Sequence, residues 1–125
     1  MIAPDAAAIA LLKANSAITV ITGTRISTDY IAGAASLRIT LIGGTQAEQE
    51  NWRALLQIEC WATDQIVAGQ LATAVREQWP SFRGPAGTGT QCIGAWLETN
   101  PYWMPDPDSD RPRYILTGGL WLGER

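Results

Sequence analysis

A chain of 125 residues has room for one domain, taken here as 1–125, large enough to bury roughly two thirds of its unfolded surface without disulfide or metal staples. Apolar residues make up 46% of it and charged ones 17%, against a usual charged share of about 25%, so the charged coat is thin and part of the surface is suited to being covered. With 9 basic and 12 acidic residues, a single lysine (Lys13) and no histidine, the chain lacks a phosphate-gripping patch, histidine-dependent nucleophilic catalysis and His-based metal sites.

Pro4 and Asp5 open an alanine-rich run that predicts a helix over 4–15, with Ala8, Ile9 and Leu12 on one face. The opening has no basic start and its apolar stretch falls short of the roughly 18 residues that span a bilayer, which implies a soluble, cytoplasmically made protein without membrane contact. After a loop holding Gly23 and Arg25, alternation of Leu37, Ile39 and Leu41 predicts a strand over 37–42, stopped by Gly43 and Gly44. The polar stretch 45–51 reads as an exposed connection. It leads to a strand at 53–62 with Leu56, Ile58, Cys60 and Ala62 on one side and Gln57, Glu59 and Trp61 on the other.

Asp64 is placed to cap a helix running to about Trp79, its packing face formed by Val67, Leu71, Ala74 and Val75 and its end set by Pro80. Residues 83–90 read as a flexible connection, 91–98 as a third strand and 113–122 as a fourth. Gly118 and Gly119 in the last strand signal a bulge or a close backbone approach. Two helices and about four strands in the order α-β-β-α-β-β describe an α+β fold: a mainly antiparallel sheet with both helices packed on one face.

No nucleotide loop is present, because the glycines at 84, 87 and 89 precede a strand rather than a helix. Asp106, Asp108 and Asp110 match the first, third and fifth positions of a calcium loop, but Arg111 stands where the turn needs glycine and Thr117 where the bidentate glutamate belongs. Glu59 and Glu98 on strands show no spacing that marks a carboxylate pair. Cys60 and Cys92 sit in apolar stretches and read as reduced core residues. Neither a cofactor nor an enzymatic activity is expected.

A docking module remains. Pro101, Pro105, Pro107 and Pro112 stiffen residues 101–112, so ordering this arm against a partner costs less entropy than ordering a flexible loop. Interface candidates are Trp103, Asp106, Asp108, Asp110, Arg111 and Arg113 in and beside the arm, Arg25 in the early loop, and Trp121 on the face opposite the inferred core.

The ordering LLQIECWATDQIVAGQLATAVRE (55–77), followed by PDPDSDRPRYILTGGLWL (105–122), resembles the tail terminator proteins of long-tailed bacteriophages, also called tail completion or head–tail joining proteins. LRITLIGG (37–44) is similar to the strand that precedes them. The matching positions are Trp61, Pro105, Asp106, Pro107, Pro112, Arg113 and Tyr114. The resemblance implies a homo-oligomer, a hexameric ring at the head-proximal end of the virion tail. Its implied partners are the major tail tube protein and a head–tail connector or head-completion protein, with genomic DNA passing through the lumen without specific binding. A head-completion ring of the same joint is the alternative, and a small hydrolase or ligand-binding domain the more distant one.

Overall fold

The computed structural model describes residues 1–48 and 51–125. Pro4 needs no donor at the first turn of a helix, and Asp5 and Lys13 complement the helix dipole at its two ends, so α1 spans Pro4–Lys13. Its buried face is Ala7, Ala8, Leu11 and Leu12; Ile9, expected there, is only partly buried. Asn15 does not end this helix quietly. Its side chain accepts a hydrogen bond from the amide of Ala17 and caps a second, unforeseen helix, α2 (Ser16–Thr22). The two helices meet at 90°, and neither is long and apolar enough to cross a membrane by itself.

The strands are β1 (Ile26–Ser27), β2 (Ser36–Glu48), β3 (Asn51–Trp61), β4 (Gly84–Pro85), β5 (Thr90–Trp103) and β6 (Arg113–Glu124). They form one sheet in the order β1-β2-β3-β6-β5-β4, in which only β1 with β2 is parallel. Helix α3 (Gln65–Gln78) follows β3, with Asp64 capping it through the Val67 amide at 2.8 Å, and a 3-10 turn (Trp79–Ser81) continues it. The α+β class and the largely antiparallel sheet therefore hold. Among the described residues the count is corrected to six strands and three α-helices, because β1 and β4 are two residues long and carry no periodicity, and α2 is rich in β-branched residues.

Two further corrections concern β2 and β5. Gly43 and Gly44 do not stop β2. They pair with Leu55 and Ala54 just past a bulge at Ile42, where the register shifts, and Gly44 takes a φ of 135°, its α-carbon so near β3 that a Cβ would collide with the carbonyl oxygen of Arg53. The expected connection at 45–51 is thus largely strand, except for residues 49 and 50, which lie outside the described residues. Residues 101–103, assigned to a free arm, instead complete β5, with Trp103 opposite Tyr114. Strand β5 runs beside β6 with three register shifts, and Pro101, which has no backbone donor, sits near its end.

One face of the sheet carries the core. Ile39 and Leu37 of β2, Leu56 and Ile58 of β3, and Leu116, Leu120 and Leu122 of β6 pack beneath α1, α2 and α3. On α3 the packing face is Ala68, Leu71, Ala72 and Val75, one step round from the expected Val67 and Ala74. Trp79, the largest fully buried side chain, lies over Gly118 and donates its indole N–H to the carbonyl of Gly119 at 3.0 Å. From the other face Trp96 covers Gly119, so no side chain larger than hydrogen fits at either glycine. The anticipated close approach is therefore a sheet backbone held between two indoles.

Cys60 and Cys92 are buried free thiols. Burial pushes both pKa values up, aided at Cys60 by the Glu59 charge and opposed at Cys92 by Arg83 and the Gly94 backbone. The folded chain thus retains thiol protons that the unfolded chain releases, so stability should decline as pH rises above the ordinary thiol value of about 8.5. Native protein at pH 8 should resist alkylation by iodoacetamide and react at both positions once denatured. Gly118→Ala should lower unfolding free energy by about 1–3 kcal/mol in urea titrations, since its methyl would overlap the Trp79 ring; unchanged stability would mean that the indole is free to move aside.

Candidate assembly interface

The face of the sheet away from the helices is not an ordinary solvated surface. Period-two alternation turns Arg53, Glu59 and Trp61 of β3, Arg113 and Trp121 of β6, and Arg38 of β2 to this side. Glu59 is 2% exposed. It is held by Arg113 at 2.9 Å and by Arg38, its direct cross-strand neighbour, at 3.4 Å. Two guanidinium groups against one carboxylate leave the triad with a positive excess, and Arg113 is further fixed by donating to the Met104 carbonyl at 2.9 Å.

Trp61 lies beside this triad, 4% exposed, beneath the ring of Tyr30 at 4.6 Å and with the Arg113 guanidinium 5.0 Å from its centroid. Arg111 in turn stacks on Tyr30 at 5.4 Å. Around these groups opens a cleft of about 470 Å³ lined by Tyr30, Arg38, Trp61, Asp106, Arg111 and Arg113. A second cleft, about 260 Å³, lies where Arg53 stacks on Trp121 at 4.9 Å beside Arg83 and Trp96. The indole N–H groups of Trp61 and Trp121 are both buried and have no acceptor among the described residues. A larger groove of about 650 Å³ between α3 and the β5–β6 hairpin is less promising, as Arg76 there already donates to Asn100 at 2.9 Å and Thr73 to the Gly69 carbonyl.

Of the residues singled out from sequence, the fold gathers Asp106, Arg111 and Arg113 at the first cleft and places Trp121 at the second. Asp106 accepts from the Ser109 hydroxyl and the Asp108 amide and closes a turn in which Asp110 takes a φ of 57°. The Ser109 bond first, then the backbone donors and Arg113, hold the Asp106 carboxyl below the usual carboxylate range despite partial desolvation. Among the described residues no group of three His, Cys, Asp or Glu side chains is placed to hold a metal. Arg25 lies apart from both clefts and latches the loop before β2, donating to the Ala35 carbonyl at 2.8 Å. Trp103 leans edge-on against Tyr114 at 5.2 Å yet stays 41% exposed, next to exposed Tyr102 and Met104. The proline-rich segment is thus a braced hairpin tip, with Met104 and Asp106 amides bonded to the Arg113 and Arg111 carbonyls, rather than an extended arm.

Sequence reasoning missed Arg38 and Tyr30 and took Glu59 for a solvated outward position. Strand register contained the signal for Arg38 and Glu59, which stand directly opposite each other. Nothing local announces Tyr30, whose loop is held by side chains on either side of it, Arg25 on Ala35, Ser36 on Ile31 and Arg38 on Thr28.

No protein-family model and no curated protein matches this sequence. The fold does have a solved counterpart: a chain of a structure titled virion of native gene transfer agent particle superposes with a TM-score of 0.70 at 16% identity, over 97% of this chain and 95% of that one. That likeness establishes a shared fold across nearly the whole length of both chains.

Replacing Glu59 with alanine should cost about 3 kcal/mol in denaturant unfolding, because Arg113 would be left buried beside Arg38 without a counter-charge. Arg38→Ala should cost under about 1 kcal/mol, since its side chain is 43% exposed and Arg113 still neutralises Glu59. Equal losses in the two variants would contradict this ordering.

Proposed function

We propose that the chain is a structural protein of a phage-like virion and, more finely, a tail terminator: one subunit of a hexameric ring that caps the head-proximal end of the tail tube, stops its polymerisation and offers a surface to the head connector. The observation that carries the reading is the near full-length fold likeness to a chain of a gene transfer agent virion. The finer role draws support from the C-W-A stretch at 60–62 and the P-D-P-D-S-D-R-P-R-Y run at 105–114, which resemble tail terminators.

The chemistry of the surface suits assembly better than turnover. Both thiols are buried, Asp106 at the hairpin tip is satisfied by its own turn, and among the described residues the buried side-chain polar groups without partners are indole donors beside arginines on the outer sheet face. The reading is accordingly of a non-catalytic protein whose neighbours are copies of itself, the tail tube protein and a connector or head-completion protein. Genomic DNA would pass the ring without specific contact, consistent with a net charge of −3 and a single lysine.

Electron microscopy of particles assembled without this protein provides the test. Overlong tails are expected for a terminator. Normal-length tails detached from heads would reassign it to the connector side of the joint, and particles of normal form would refute a role in tail assembly.

A further inference from the structure

Strands β3 and β6 carry the same pair of residues at the same spacing: Arg53 and Trp61 on one, Arg113 and Trp121 on the other. In the antiparallel register Arg53 stands opposite Trp121 and Trp61 opposite Arg113, with Gln57 opposite Thr117 at the midpoint. The outer face of this strand pair is therefore locally two-fold, with a stacked arginine–tryptophan couple at each end, 4.9 Å and 5.0 Å from guanidinium to ring centroid. Eight residues of strand separate the couples along each chain, about 26 Å at the usual rise. Each couple ends in an indole N–H that is buried and lacks an acceptor among the described residues.

We infer that this face is where a second copy of the chain docks, presenting oxygen acceptors, carboxylates foremost, to the two arginine–tryptophan couples. The inference rests on the assembly reading above and names the partner of the face that reading leaves open. Three observations favour a second copy. Arg38, Arg53, Arg83, Arg111 and Arg113 at its two clefts outnumber Glu59, Glu98 and Asp106, although the chain as a whole carries −3. The acidic excess therefore lies elsewhere, with Asp64 and Glu77 exposed at the start and near the end of α3. One copy thus offers the cationic surface and another the anionic one, a heterologous match of the kind that closes rings. The face also mixes exposed Tyr102 with the half-buried rings of Trp96 and Trp121, the aromatic and arginine-rich composition of a protein contact.

The donors themselves provide the readout. In ¹⁵N-labelled protein the Trp61 and Trp121 indole N–H signals, assigned by Trp61→Phe and Trp121→Phe, should move downfield as protein concentration rises, in step with self-association followed by sedimentation velocity. The indoles of Trp52 and Trp79, on the core side of the sheet, should hold still. Trp121→Phe keeps an aromatic ring while losing the donor with the five-membered part of the indole, and Arg53→Glu reverses an exposed charge; each should weaken self-association about tenfold or more while leaving the folded spectrum intact. Unmoved indole signals, no self-association at any concentration, or full self-association by both variants would overturn the assignment. Signals that move only on adding inorganic phosphate or an oligonucleotide would overturn it too, in favour of an anion site. Self-association through this face by a protein missing from particles would leave this inference standing and sink the virion reading.

Discussion

The backbone of β6 at Gly118 and Gly119 is clamped between Trp79 from the core side and Trp96 from the outer side. Neither glycine contributes a side chain, so the thickness of the domain at its centre is set by indoles brought in from the end of α3 and from β5. The hydrogen bond from Trp79 to the Gly119 carbonyl fixes the depth of the first indole, and Phe82 packs against it at 5.4 Å. Because Trp79 is the hinge between α3 and the 3-10 turn, this contact also sets where the chain re-enters the sheet as β4 and β5. Loss of a buried tryptophan costs about 3–5 kcal/mol, a large part of the net stability of a domain this size.

On the opposite side the same sheet solves a different problem. Glu59 is too buried to be left alone, and two arginines from the flanking strands neutralise it at the expense of drawing positive charge to that surface. The Trp61 ring then covers the plane of Arg113 and is itself left with an idle donor, as Trp121 is beside Arg53. Stability of the single chain and readiness for a partner are thereby coupled: the groups that settle the buried carboxylate are the ones that face outward.

Much of the core was readable because alternation in β2, β3 and β6 is regular, and Asp64 and Pro4 mark helix starts by local chemistry alone. What escaped has physical reasons. A two-residue strand such as Ile26–Ser27 has no period to detect, and a bulge at Ile42 followed by two glycines looks like a stop until its partner strand is known. The one-step error on α3 arose because Val67 and Ala68 both fit a helical apolar stripe, and only the sheet decides between them. At the outer face Trp61, Arg113 and Trp121 were noticed singly and Arg53 not at all, because their pairing depends on the β3–β6 register. Tyr30 illustrates the limit: its ring covers Trp61 across a loop with no sequence signature.

The irregularity of β5 bears on how copies can meet. Beyond the short β4, this strand is an edge, and a long flat edge would invite another chain to extend the sheet without limit. Three register shifts break the line of free amides and carbonyls, and Pro101 deletes one donor outright. Fibre-like growth by added strands is thereby discouraged, and contact is steered to faces whose shape can count its neighbours, which is what separates a closed assembly from an aggregate.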